Sequence, residues 1–191
     1  MEIERKFLVD YNKLKLSEES EHELIKQIYF SFDNNHSARI RSVDNKKGFI
    51  TFKFSTNDPK VRQEYEIEIN YDLAEKLQKE FSKIIKKPLI EKTRYKYNHN
   101  GIQWDIDMFI YPNNGIVLAE KEFHENENPD DLEMPEWIIK EVTNDPQYLN
   151  SNLNINLKST YKRKDDYEWW FNQPHLPEDI NLVEEIDAYD V

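Results

Sequence analysis

Residues 90–123, IEKTRYKYNHNGIQWDIDMFIYPNNGIVLAEKEF, decide the fold. Apolar and polar residues alternate through three runs, broken at Asn100-Gly101 and again at Asn114-Gly115. Alternation is the signature of a half-buried strand, and Asn-Gly supplies the positive φ angles of a tight hairpin. The stretch therefore predicts three consecutive antiparallel strands. Their charges fall on one face in each: Lys92, Arg94 and Lys96, then Asp105 and Asp107, then Glu120 and Glu122. Outward from this meander the same grammar repeats. SARIRSV (37–43) runs through NKKG into GFITFKF (48–54), and EIERKFLV (2–9), ELIKQIYFSF (23–32) and VRQEYEIEI (61–69) alternate as well. Eight short strands at this spacing predict a β-barrel or sandwich.

Helical periodicity is scarcer. YDLAEKLQKEFSKIIKK (71–87) reads as an amphipathic helix capped by Asp72, with Leu73, Leu77, Phe81 and Ile84 on one face. PEWIIKEV (135–142) reads as a shorter helix, and Asp145-Pro146 as the cap and first position of another.

Composition narrows the function classes. A hydrophobic content of 38% with 13% aromatics suits a folded domain. No apolar run approaches the roughly 18 residues of a membrane span, and a strand starting at residue 2 leaves no room for a secretion signal, so a cytoplasmic location is expected. With no cysteine, thiolate zinc sites and cysteine nucleophiles are excluded. Net charge is −12, but nine of the 38 acids lie from Asp165 onward, where no Lys or Arg occurs. Residues 1–164 thus carry 29 acids against 26 bases and are able to hold a local basic site, while the overall charge argues against DNA and no membrane partner is expected.

Two readings of the charged faces compete. In one they are ordinary solvated surface laced with weak cross-strand ion pairs. In the other they point into a closed barrel, where charges interact strongly and are costly unless a ligand completes them. Bases recur in strands three, four and six, as Arg39 and Arg41, Lys53, and Lys92 with Arg94; the acids gather in strands seven and eight. Arg and Lys on several strands suit a polyanion, and Glu and Asp suit a hard divalent cation that binds carboxylate and phosphate oxygens together. A polyphosphate with Mg²⁺ or Mn²⁺ reconciles the two sets.

The ordered set resembles the CYTH, or triphosphate tunnel metalloenzyme, family, whose first strand carries Glu-x-Glu-x-Lys, here Glu2, Glu4 and Lys6. The resemblance continues through Arg39 and Arg41, Lys53, Arg62 with Glu64 and Glu66, Lys92 and Arg94, Asp107, Glu120 and Glu122, and EVTNDPQYLN (141–150). It implies a mainly β (α+β) fold with an eight-stranded antiparallel closed barrel over residues 1–164, charged inside and flanked by helices. It also implies metal-dependent hydrolysis of a triphosphate by in-line water attack. Glu2, Glu4, Glu120 and Glu122 are then the metal-ligand candidates, with Glu4, Lys6 and Glu122 the catalytic core. Lys6, Arg39, Arg41, Lys53, Arg62, Lys92 and Arg94 bind phosphate, and Glu64, Glu66, Asp107 and Tyr29 support them. Inorganic triphosphate is the favoured substrate because the hairpins are short. Adenylate cyclisation, thiamine or nucleoside triphosphate hydrolysis, and polyphosphate binding without catalysis are the alternatives. Trp104 and Trp137 are the aromatics considered for stacking an organic group, with Trp104 expected to pack outside the barrel. Residues 165–191, with Trp169, Trp170 and Phe171, form an acidic aromatic tail expected to dock on the barrel exterior or on a second copy in a homodimer.

Overall fold

The computed structural model describes residues 3–17, 20–31, 36–55, 62–85, 89–111, 115–124, 127–143 and 145–150. The chain divides into two units, Met1–Tyr161 and Lys162–Val191, and every described residue belongs to the first. The expected tail lies outside the described residues, as does Glu2.

The strands are β1 (Ile3–Val9), β2 (His22–Ser31), β3 (His36–Val43), β4 (Lys47–Ser55), β5 (Arg62–Asn70), β6 (Ile90–His99), β7 (Ile102–Tyr111), β8 (Val117–Phe123) and β9 (Ile138–Glu141), with one α-helix, α1 (Tyr71–Ile85). They form a single sheet in the order β5-β4-β3-β2-β6-β7-β8-β1-β9, and all of its pairings are antiparallel. Two expectations are corrected here. The sheet has nine strands rather than eight, and it is open: among the described residues β5 and β9 are not paired with each other. Residues 138–141, read as helix, are β9. Ile138-Ile139-Lys140-Glu141 is too short for a stable helix, and β1 offers it a free edge, where the Val142 amide donates to the Lys6 carbonyl at 2.8 Å and Arg5 Nη2 pairs with Glu141 Oε2 at 2.6 Å. The cap at Asp145 is as expected, its side chain accepting from the Gln147 amide above the 3₁₀ turn Pro146–Tyr148.

Gly101 (φ 82°) and Asn100 (φ 52°) make the β6–β7 hairpin the sequence predicts. At the β3–β4 hairpin the positive φ angles belong instead to Asp44 and Asn45, and Gly48 lies inside β4. A Cβ there would meet the Ala74 Cβ at 2.5 Å, so Gly48 is the notch that lets α1 lie on the sheet. Helix α1 is capped by Asn70, whose side chain accepts from the Leu73 amide at 2.8 Å, rather than by Asp72. Its packed face is Ala74, Leu77, Gln78, Phe81 and Ile85, set against Ile28, Phe30, Ile40, Ile50 and Ile69, while Ile84 is 71% exposed. The Gln78 amide fixes this rotation, donating to the Lys26 carbonyl at 2.9 Å and the Ile40 carbonyl at 3.4 Å.

Away from α1, the same side of the sheet is covered by Trp137, which packs edge-on to Trp104, itself edge-on to Phe7. Both tryptophans are buried there, on the face opposite the charges, as expected for Trp104. Among the described residues no helix is long and apolar enough to cross a membrane.

Candidate functional site: a recessed charged sheet face

Register places the motif residues together. Glu4 lies opposite Glu122, and Lys6 opposite Glu120. Asp105 lies opposite Glu120 and Lys96, and Asp107 opposite Arg94. Gln27 faces Arg41, Tyr29 faces Arg39, Arg39 faces Thr51, and Thr51 faces Glu66, with Lys53 opposite Glu64. Because side chains alternate and paired residues share a side, all of these occupy one continuous face.

That face is not ordinary surface. Lys92 and Asp107 are 0% exposed, and Lys6 only 8%. The sheet curls to enclose them. Arg94 on β6 reaches across β7 to Glu120 on β8, its Nη2 2.5 Å from Oε2, and Arg41 on β3 feels the charges of Arg94 and Asp107. In a flat sheet β3 and β7 would stand about 14 Å apart.

The charges are largely matched within the protein. Asp107 accepts from Lys92 and, through both oxygens, from Arg94 at 2.6 Å. Burial opposes its charge, yet Arg94 and Lys92 hold its pKa well below the usual carboxylate range. Arg94 also donates to Asp105 at 3.0 Å, and these carboxylates raise its pKa in spite of burial. Burial, then Arg94, push Lys92 down against the attraction of Asp107. Lys6 Nζ is 2.8 Å from Glu120, and burial there is more than offset by Glu120 and Glu4, which raise its pKa. Burial and Asp107 push Glu120 up, but Arg94 and Lys6 bring it below its ordinary value. Arg39 donates to Thr51 Oγ1 at 3.1 Å, and the Thr51 hydroxyl donates to Glu66 at 2.8 Å. Lys53 pairs with Glu64. Arg62 opens β5 opposite Ser55, and its side chain lies outside the described residues.

Two places are unmatched. Arg41 has no carboxylate partner among the described residues, and burial followed by Arg39 depresses its pKa. The Tyr29 hydroxyl resists ionisation through burial, but Arg39, Lys92 and Arg41 around it bring its pKa down on balance. At the opposite part of the face, Glu4 is 3.8 Å from Lys6, and Glu122 has no base partner among the described residues. The Glu4 side chain is 51% exposed but sits within the concavity, and burial together with Glu120 pushes it up to about 7. Lys6 and Arg94 thus compensate its negative charge only in part. No three carboxylate or imidazole groups converge as a ready-made metal cage among the described residues. An oxygen-only donor set at Glu4 and Glu122 nevertheless suits a hard divalent cation, whereas Glu120 is taken up by Lys6 and Arg94.

Sequence reasoning put Asp105 on the charged face but left both it and Thr51 out of the set of site residues. Their positions two residues from Lys53 and from Asp107 carried the signal.

The fold is thus a curled, open antiparallel sheet whose recessed face gathers bases and carboxylates side by side. The family model for the CYTH domain matches residues 1–152, and the chain belongs to that family. It is 40% identical over 164 residues to the inorganic triphosphatase of Acetivibrio thermocellus, covering 84% of this chain and 96% of that protein. Two crystal structures of NE1496 share the fold at 28% identity. One, described as a hypothetical protein, gives a TM-score of 0.61 over 83% of this chain and 100% of its own; the other, described as an inorganic triphosphatase, gives 0.59 over 82% and 96%.

Proposed function

We propose that the protein hydrolyses inorganic triphosphate to pyrophosphate and phosphate, using Mg²⁺ or Mn²⁺. The observation that carries this reading is Arg41, a half-buried cation with a buried, unpartnered Nε and no carboxylate among the described residues, on a face where the neighbouring bases are held by acids. A phosphoryl group completes it. Arg39, Arg41, Lys53 and Lys92 bind the phosphate chain, and Lys6 and Arg94 neutralise charge toward the carboxylate side, which is most of what phosphoryl transfer requires. Arg62 joins the binding set. Glu66 and Glu64 hold Arg39 and Lys53 in place, and Asp107 holds Lys92 and Arg94. Glu4 and Glu122 would hold the cation, while Glu120 stays engaged by Lys6 and Arg94. When bound, the cation supplies Lewis-acid polarisation of a phosphoryl oxygen and a more acidic water. The water oxygen attacks the terminal phosphorus as the bond to the pyrophosphate oxygen breaks, and no covalent intermediate is needed.

Kinship with an inorganic triphosphatase supports a substrate without an organic group, and so does the placement of Trp104 and Trp137 on the opposite face, where neither stacks a base or thiazole ring. Incubation with Mg²⁺ or Mn²⁺ and, separately, inorganic triphosphate, ATP and thiamine triphosphate tests the reading, with phosphate, pyrophosphate and cyclic AMP measured. Phosphate and pyrophosphate from inorganic triphosphate are expected. Cyclic AMP from ATP would make the protein a cyclase, and tight triphosphate binding without turnover would make it a polyphosphate-binding module.

A further inference from the structure

Gln27 is 0% exposed, and both polar atoms of its side chain, Nε2 and Oε1, have no hydrogen-bond partner among the described residues. A buried amide left so costs folding free energy, and a merely structural position would favour a hydrocarbon of the same size. Its surroundings give the reason for keeping it. Gln27 lies on β2 between Arg41 of β3 and Ile90 of β6. Ile90 belongs to an apolar cluster with Leu8, Phe109 and Leu118, against which Tyr29 packs. Gln27 therefore marks the border where the bases give way to hydrocarbon. The Nε groups of Arg39 and Arg41, on the same face of the adjacent strand, are likewise buried with no partner. Three orphaned N–H donors on neighbouring strands call for one acceptor-rich group.

We propose that Gln27 is a substrate-binding residue whose amide N–H donates to a phosphoryl oxygen held by Arg41, at the apolar border of the charged face. The inference rests on the triphosphate reading and names a residue outside the acid and base motifs. A neutral amide suits this border because it adds a directed donor without setting a further cation next to Arg39 and Arg41, which already repel each other across this crowded part of the face.

Calorimetric titration of the full chain with inorganic triphosphate, with divalent cation omitted, tests it on Gln27→Met and Gln27→Glu. Gln27→Met keeps length and loses both polar atoms. Its expected result is affinity weakened about tenfold with a melting temperature equal to or above that of the parent, because an unmatched amide has been removed. Gln27→Glu sets a carboxylate against the phosphoryl oxygen and weakens binding further; Gln27→Met decides alone if that variant does not fold. Parent-like affinity in folded Gln27→Met overturns the inference and leaves the triphosphate reading standing. A parent protein that neither binds nor hydrolyses triphosphate overturns the reading itself, and this inference with it.

Discussion

Asp107 neutralises Lys92 and Arg94 before any ligand arrives, so its removal separates structure from binding. Asp107→Asn leaves the fully buried Lys92 without its acid, and a loss of about 3–5 kcal/mol is expected in denaturant unfolding, as for other broken buried pairs. Adding Lys92→Met to that variant should recover part of the loss. The pH dependence has a definite sign. The folded pKa of Asp107 is depressed, so its contribution is fully present above the unfolded value of about 3.9 and is lost as pH falls from there toward the folded value. The acid limb of stability should therefore be shallower in Asp107→Asn, and an unchanged slope would show that the pair contributes nothing to acid resistance. Glu4 and Glu122 work differently, since neither is tightly matched within the protein. Gln at either position should abolish metal-dependent turnover while the melting temperature measured without metal stays near that of the parent. Turnover with unaltered metal dependence in both variants would remove the cation assignment.

Helix α1 and strand β9 show where periodicity is informative and where it is not. The helix was legible, but its rotation was not, because hydrophobicity alone favours Leu73 and Ile84 over Gln78. The structure chooses Gln78, whose amide is matched by the Lys26 and Ile40 carbonyls. Strand β9 was misread because an isolated four-residue run carries little periodicity, and what makes it a strand is the vacant edge of β1. Gly48 likewise looked like a turn residue and is a contact residue. Gly48→Ala should destabilise the protein by about 1–3 kcal/mol, the range for overpacking, because its Cβ meets Ala74 Cβ at 2.5 Å and the Asn70 carbonyl at 3.0 Å. Ala74→Gly in the same chain should restore part of that stability in thermal melts, which a simple strand-propensity effect would not allow.

Across the sheet the charged face was legible in sequence because a strand's period of two writes its face directly into the chain: every motif base whose side chain is described lies where alternation put it. Closure was not legible, since whether the end strands meet depends on curl and stagger summed over all pairings, and no single strand records these. Nor did alternation say which bases were already matched. Lys96 pairs with Asp105 at 2.7 Å at the exposed margin of the same face, Arg94 is surrounded by acids, and Arg41 alone among the Lys and Arg residues with described side chains on β3 and β6 lacks a carboxylate. That difference orders their roles. Arg41→Ala should weaken metal-free triphosphate binding by about tenfold or more, the scale of a lost charge-assisted contact, without lowering the melting temperature, because the half-buried cation removed has no carboxylate partner to leave unpaired. Arg41→Lys should recover only part of the affinity, since a point charge cannot reproduce the two-pronged guanidinium contact. Lys96→Ala should leave affinity nearly unchanged. Equal losses from Arg41→Ala and Lys96→Ala in the same calorimetric titration would mean that the face attracts polyanions only through its summed charge, and the special place given to Arg41 would be withdrawn.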